Sequence, residues 1–449
     1  MEISEELVRR LDVAGPRYTS YPTVPEWNDR FGSDDFGAAL ERASATPDAP
    51  LSLYVHLPFC REMCRYCGCN VVATHDQTRA DRYLDVIERE VQLAAAHLGK
   101  RRSVSRLHLG GGTPTFLDEQ QLTRLWRILS DKFTLRADAE VALEIDPVVT
   151  RRSQLELLRG FGWSRVSLGV QDFDPRVQEA VARVQTLAET RAILDDARAL
   201  GYRSINLDLI YGLPRQTLDS WSRTLAEVIA LAPDRVAVFS FAYVPHLKPH
   251  QRLLPQVDLP TGATKLALYL RAHELLTAAG YLAVGMDHFA RPEDPLGRAA
   301  RAHTLWRDFQ GYTNGWAGDT VGFGASSISD VGGAYAQNEH TLSAHAHSIG
   351  SGRFATQRGL ILSDDDRRRR AVITQLLCNF EIDLGDEVAR YRDELAALAP
   401  LEKDGLVERE GARLRVTPLG RLFVRNVAMV FDAYLDRAPT QRRVFSRTV

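Results

Sequence analysis

The chain has 449 residues, with 56 Lys and Arg against 58 Asp and Glu, a formal net charge of −2, and 45% apolar residues. That length supports a large domain plus a smaller one, with apolar surface enough for an ordinary core. Near-neutrality gives no electrostatic reason to expect a nucleic-acid or membrane-surface partner. The opening MEISEELVRR lacks the basic start and apolar centre of a signal peptide, and no run approaches the ~18 apolar residues of a spanning helix, so a cytoplasmic protein without a membrane span is expected.

Residues 1–50 read as an N-terminal arm without regular rhythm. Within it GPRYTSYPT (15–23), rich in Pro, Tyr and Thr, reads as irregular extended chain, either a surface arm or a lid over substrate. From Leu51 onward, short apolar runs alternate with helical patterns. The predicted strands are 51–59, 106–112, 140–147, 165–171, 204–212, 235–241 and 281–289. Between the second and third, Leu122, Leu125, Trp126, Leu129 and Phe133 share one face of a helix, with Asp118 and Gln121 as its capping pair. Gly162, Gly201 and Gly280 punctuate helix ends. Parallel strands need crossover helices, so this alternation predicts an α/β fold: a partial or full (β/α) barrel over 51–360, with an open doubly wound sheet as the alternative.

Residues 361–449 form a third segment. Ser363 is placed to cap a helix opening DDDRRRR, followed by a short helix (399–407), a hairpin (408–416) and a final helix through 418–435. This order reads as a mainly helical, winged-helix-like domain. Its basic residues are interleaved with acids, so a packing or cover role is favoured over nucleic-acid binding.

Four of the five cysteines lie in CREMCRYCGC, residues 60–69. In a reducing compartment, clustered thiols point to metal or redox chemistry. Cys60, Cys64 and Cys67 are spaced C-x3-C-x2-C after the first predicted strand. Structural zinc usually draws four ligands from two separated pairs, and no second pair follows. An iron–sulfur cluster is the competing reading; three thiolates would leave one iron of a [4Fe–4S] cluster open to another ligand. Cys69 reads as a neighbour of the cluster and not a ligand, and Cys378 as a buried small hydrophobe.

Sites in barrels and open α/β sheets form at the C-terminal ends of strands. Those ends carry Gly110–Thr113, then Glu144 and Asp146, Gln171 and Asp172, Asp208 and Tyr211, Phe241–Tyr243, and Asp287 with His288. Each acid alone is more often a helix cap. Together they suit a cationic, hydroxyl-rich cofactor.

Cysteines at this spacing, directly after a first strand, resemble those of the radical S-adenosylmethionine superfamily. More specifically GPRYTSYPT, YVHLPFC (54–60), the four-cysteine run, LGGGTPT (109–115), LEIDP (143–147), LGVQDF (168–173), LDLIYGLP (207–214), GMDHFARP (285–292), DFQGYT (308–313) and AQN (336–338) resemble, in order, the oxygen-independent coproporphyrinogen III oxidase (dehydrogenase) family. Related haem-chaperone-like proteins generally carry an aromatic residue at the position of Cys69 and lack the GPRYTSYPT arm; they are the alternative reading. The resemblance implies oxidative decarboxylation of two propionates of coproporphyrinogen III to vinyl groups, giving protoporphyrinogen IX in haem synthesis. A 5′-deoxyadenosyl radical removes a β-hydrogen, and the substrate radical loses CO2 and gives one electron to an acceptor. It implies a [4Fe–4S] cluster on Cys60, Cys64 and Cys67, and two S-adenosylmethionine molecules. Tyr54, Gly111, Glu144 and Ile328 match the positions for the cluster-bound one. Tyr66, Gly112, Thr113, Gln171, Arg183, Asp208 and Ala242 match those for the second. Flavodoxin or ferredoxin is the expected electron donor and a monomer the expected state. The substrate carries four carboxylates, for which Arg17 and Arg291 are candidate anchors, with surface ion pairing as their plainer reading.

Overall fold

The computed structural model describes residues 5–435 and 445–448. Contacts divide the chain into two compact units: Asn28–Leu259 with Ala317–Ile361, and Met1–Trp27 with Pro260–Trp316 and Leu362–Val449. Residues 1–4 of MEISEELVRR lie outside the described residues.

The larger unit is built on β1 (Leu51–Leu57), β2 (Ser103–Gly111), β3 (Thr134–Ile145), β4 (Arg165–Gln171), β5 (Ser204–Tyr211) and β6 (Arg235–Ser240). They pair in chain order and all in parallel. The other edge of β1 pairs in parallel with β7 (Asp319–Phe323), Leu53 opposite Val321. Beyond it β8 (Ile328–Val331), β9 (Ala334–Asn338) and β10 (Thr356–Ile361) continue antiparallel. Within this unit the strand order is a line and not a ring, which makes it a partial (β/α) barrel. β1 is buried along nearly its whole length, as expected of a parallel strand covered on both faces.

The helices follow local rules. Helix α1 (Thr78–Leu98) buries Tyr83, Leu84, Ile87, Val91 and Leu98 at helical spacing. Helix α2 (Glu119–Ser130) starts at the expected reciprocal cap: Asp118 Oδ1 accepts from Gln121 N at 2.9 Å, and Gln121 Oε1 accepts from Asp118 N at 3.1 Å. It ends before Phe133, which falls in the following turn. The expected arm is not uniformly irregular: Ser33–Ser44 is a helix burying Phe36, Ala39 and Leu40. GPRYTSYPT itself is irregular, as expected.

In the smaller unit, Ser363 and Asp366 cap the helix Asp364–Asn379 as expected. The hairpin Val407–Glu410 and Arg413–Val416 gains a third strand, Glu381–Asp383, that was not expected. The final helix is shorter than expected, Val424–Met429. The expected strand at 281–289 is instead two short antiparallel strands, Leu282–Ala283 and His288–Ala290. The chain bends between them at Gly285, where a Cβ would meet the Tyr312 ring. The Tyr residues of GPRYTSYPT are core residues here: Tyr18 and Tyr21 are buried, Tyr18 donates to Asp432 at 2.9 Å, and the Tyr21 hydroxyl accepts from Ala433 N at 3.1 Å. Cys378 is buried, as expected of a small hydrophobe.

Candidate functional site

Parallel strands deliver their C-terminal ends to one edge of the sheet. After β1, the strand Phe59–Cys60 pairs with Val72–Ala73 and so ties down both ends of the cysteine loop. Inside it, Cys67 N donates to Cys64 O at 3.2 Å, and Cys60 Sγ lies 3.6 Å from Thr113 Oγ1. Cys60, Cys64 and Cys67 are all partly buried, whereas Cys69 is exposed. Burial pushes the Cys60 thiol up to about 11. Cys67 is drawn down, chiefly by a hydrogen bond from Cys69, with Lys248 and His250 adding positive potential. The same hydrogen bond pushes the Cys69 thiol well above its ordinary value.

The loop is fastened from outside by the segment after β6, which includes a 3-10 helix, Pro249–Leu253. Lys248 Nζ donates to Cys69 O at 2.9 Å, His250 Nε2 to Cys67 O at 2.8 Å, and Gln251 Nε2 to Tyr66 O at 3.1 Å. These three side chains were not singled out from the sequence. They sit in VPHLKPHQR, a stretch too short and too broken by proline to show a periodicity.

The end of β2 approaches this loop without room for side chains. Gly111 has φ +113°, and a Cβ there would lie 2.6 Å from the His56 ring. A Cβ at Gly112 would lie 2.6 Å from Phe59 O, a backbone atom that cannot swing away. Gly112 N donates to Leu57 O and Thr113 N to Phe59 O, both at 2.8 Å, locking the glycine run to the chain leading to Cys60.

Glu144, at the end of β3, is aimed at the same run. His108 Nε2 donates to Glu144 Oε1 at 3.1 Å and Gly111 N to Oε2 at 3.2 Å, while 42% of the side chain stays accessible. Burial alone would raise its carboxyl, but the His108 and Gly111 bonds outweigh it and leave it below the ordinary glutamate range. His108 stacks on Tyr54, ring centroids 5.9 Å apart. His56 Nε2 donates to Asn70 O at 2.8 Å, so its Nδ1 accepts from the Tyr54 hydroxyl at 3.1 Å. Tyr54 therefore offers its ring, its hydroxyl being committed.

The next strand ends add polar groups. Gln171 has φ +68°, an uncommon conformation for a residue with a Cβ. A Cβ at Gly169 would lie 3.0 Å from Gln171 Nε2 and 3.1 Å from Arg183 Nη2, so both side chains fold over it. Arg183 reaches Asp146 at 3.1 Å, Cys64 Sγ at 3.6 Å and Gly169 O at 2.8 Å, while its buried Nε has no partner. Asp208 accepts from Ser167 at 2.8 Å and Asn206 at 2.7 Å. Tyr66 packs against a buried cluster that includes Val181 and Phe241, and Ala242 O accepts from Gln251 at 3.2 Å. Ile328 opens β8 and runs beside β7, where a Cβ at Gly322 would touch Ile328 O at 2.5 Å.

Not every strand-end acid joins them. Asp172 is buried and consumed locally by Gln216 at 2.6 Å and Thr224 at 2.7 Å. Asp287 and His288 belong to the smaller unit, where Asp287 pairs with His288 at 2.7 Å and lies 3.7 Å from Arg307 and 4.0 Å from Arg17. Arg291 lies over the Tyr281 ring at 4.3 Å and donates to Ala279 O at 3.4 Å. Among the described residues, no three His, Cys, Asp or Glu side chains are gathered to hold a metal ion by themselves.

Two family models match the chain: the radical SAM superfamily over residues 54–228 and the HemN C-terminal domain over 362–423. An oxygen-independent coproporphyrinogen III oxidase of Pseudomonas aeruginosa is 47% identical over 99% of this chain and 98% of its own length. The enzyme of that name from Escherichia coli is 43% identical over 99% of this chain and 98% of its own length. Among solved structures, coproporphyrinogen III oxidase (HemN) from Escherichia coli, described as a radical SAM enzyme, superposes with a TM-score of 0.91 at 42% identity, covering 97% of this chain and all of that one. With relatives this similar along nearly their whole length, the chain belongs to the oxygen-independent coproporphyrinogen III oxidase family of the radical SAM superfamily.

Proposed function

We propose that this protein oxidatively decarboxylates two propionates of coproporphyrinogen III to vinyl groups, yielding protoporphyrinogen IX for haem synthesis without oxygen. The observation that carries this is the 47% identity to an oxidase of that name across 99% of the chain. The haem-chaperone alternative has no comparable support.

The residues fit the cofactors that the family requires. Three partly buried thiols in one loop can ligate three irons of a [4Fe–4S] cluster, with Cys69 as a hydrogen-bond donor to Cys67. Two glycines without room for a Cβ leave backbone groups open to a close-lying ligand. When bound, the cluster and S-adenosylmethionine supply a 5′-deoxyadenosyl radical able to take a β-hydrogen from a propionate.

Tyr54, Gly111, Glu144 and Ile328 serve the cluster-bound S-adenosylmethionine. Glu144, fixed by His108 and Gly111, offers a carboxylate to its ammonium. Tyr66, Gly112, Thr113, Gln171, Arg183, Asp208 and Ala242 serve a second molecule. Asp208, held by Ser167 and Asn206, offers a carboxylate to hydroxyls, and Tyr66 an aromatic face. Arg183, bonded to Asp146 and facing Cys64, places a positive charge beside the cluster loop.

Residues 51–360 carry the radical chemistry and 361–449 form a separate, mainly helical domain. The protein works as a cytoplasmic monomer fed electrons by a flavodoxin or ferredoxin. No helix among the described residues is long and apolar enough to cross a membrane.

The test is product analysis. Protein reconstituted anaerobically with iron and sulfide, given S-adenosylmethionine, dithionite and coproporphyrinogen III, is expected to release CO2 and 5′-deoxyadenosine and to form the divinyl product. Cluster-loaded protein that binds haem stoichiometrically and forms no vinyl group would reject the assignment.

A further inference from the structure

Tyr66 and Ala242, both assigned above to the second S-adenosylmethionine, come from different parts of the larger unit. Tyr66 lies in the cysteine loop after β1, and Ala242 just past the end of β6. A single side chain joins them. Gln251 Nε2 donates to Tyr66 O at 3.1 Å and to Ala242 O at 3.2 Å, while its Oε1 accepts from Val244 N at 2.6 Å. A primary amide carries two N–H donors and one carbonyl oxygen, so every group it has is engaged. The partners also fix which way it faces. Turned over, it would set its oxygen against two carbonyl oxygens and its NH2 against a backbone N–H.

The bridge is held firmly. Gln251 is 1% exposed, and its own N donates to Lys248 O at 3.0 Å inside the 3-10 helix. Leu254, from the same segment, is buried in the apolar cluster against which Tyr66 packs. Its neighbours do something different. His250 and Lys248 bond to the carbonyls of Cys67 and Cys69, within the thiol loop alone. Of these three side chains, Gln251 is the one that ties the loop to the end of β6. No common substitute keeps the pattern. Asn is one methylene shorter, Glu keeps an oxygen for Val244 N but offers the two carbonyls no donor, and Met fills the volume without either.

Resting on the two-cofactor reading above, we propose that Gln251 is a positioning residue for the second S-adenosylmethionine. It sets the separation between Tyr66 and Ala242, so that both meet one ligand. It acts through the two backbones it joins, and the cluster-bound molecule does not depend on it.

The test measures S-adenosylmethionine binding to full-length, cluster-loaded protein by equilibrium dialysis. Iron content and the paramagnetic resonance spectrum are recorded on the same samples. The parent is expected to take up two molecules per cluster. Gln251→Met and Gln251→Glu are expected to keep parent-like iron and the spectral change caused by the cluster-bound molecule. They are expected to weaken the other molecule by about tenfold or more, as loss of a well-placed aromatic face implies. His250→Ala frees Cys67 O but leaves the Tyr66 and Ala242 bonds, and is expected to retain both molecules per cluster. A second measurement needs no variant. A ligand bearing on both ends of the bridge opposes its opening, so exchange of the Val244 amide hydrogen in the parent is expected to slow as the second site fills, and not as the first does.

Parent-like binding of two molecules by either Gln251 variant would overturn the proposal and leave the two-cofactor reading standing. Equal weakening of both molecules, or loss of iron in step with lost binding, would make Gln251 a brace of the whole loop and overturn it too. So would Val244 exchange indifferent to the second molecule. A parent that binds one molecule only would overturn the two-cofactor reading, and this proposal with it.

Discussion

Replacing His345 with alanine should damage the larger unit far more than an average substitution. His345 is fully buried and its Nε2 lies 3.0 Å from Glu90 Oε2, whose side chain is 4% exposed. Glu90 also accepts from Asn338 Nδ2 at 2.6 Å and Gly324 N at 2.8 Å. The carboxylate of α1 thus pins the turn between β7 and β8, the turn that delivers Ile328. Removing the donor leaves a buried carboxylate oxygen short of a hydrogen bond, at about 1–3 kcal/mol and more for a charged group. A folded domain holds only about 5–15 kcal/mol in total, so this is a large fraction. In a domain of this size that corresponds to a fall in Tm of roughly 2–12 °C. Urea denaturation followed by circular dichroism, with hydrogen exchange at Gly324 and Ala325, measures both halves of the argument. The double variant Glu90→Gln with His345→Gln should recover part of the loss, because neither side chain then carries a buried charge. A destabilisation under about 1 kcal/mol, or unchanged exchange in the turn, would refute the reasoning.

Gly112→Ala should prevent assembly of the loop at Cys60, because its Cβ would meet Phe59 O at 2.6 Å; iron content after reconstitution is the readout, and parent-like loading would contradict it. Glu144→Gln removes the charge from a group held at two oxygens and should raise the Kd for S-adenosylmethionine by about ten- to hundredfold; His108→Ala should move it the same way by less. Glu140 supplies a pH test. Burial would raise its carboxyl, yet Arg165 at 3.4 Å, Arg235 at 3.8 Å and Arg106 at 4.0 Å bring it down to about 2. A depressed carboxylate stabilises above its unfolded value near 4.5 and loses that contribution as pH falls toward about 2, worth roughly 3 kcal/mol. Glu140→Gln should flatten that acid limb of the stability profile.

The strands of the parallel sheet were legible because each is a short, nearly continuous apolar run, and β4 occupies the expected residues. Strand β3 starts earlier than its apolar run, since TLRADA is mostly exposed and carries no burial signal. The antiparallel strands β8 and β9 are brief and joined through Gly332 and Gly333, both with positive φ, and no strand was predicted over them. In the smaller unit the single expected strand at 281–289 ignored Gly285, whose closeness to Tyr312 is a contact over 27 positions that no local pattern announces.

The thiol spacing and strand-end acids were visible because residue type and position suffice to suggest them. Their supports were not. His108 lies inside the LHLGGG run and looks like any strand residue until Glu144 is seen 3.1 Å away. Glu90 and His345 are 255 positions apart, and nothing in either neighbourhood names the other. Asp172 errs in the opposite direction: by sequence it is a strand-end acid, by structure a buried brace for Gln216 and Thr224.

The account depends on three thiolates leaving one iron of a four-iron cluster accessible. Electron paramagnetic resonance of the reduced, anaerobically reconstituted protein, before and after adding S-adenosylmethionine, addresses that directly. A cubane signal whose g-values change on addition, and which persists in Cys69→Ser but not in Cys60→Ser, is the expected result. A signal indifferent to S-adenosylmethionine, or one lost equally with Cys69, would mean that the protein closes all four corners itself, and the proposed chemistry could not begin.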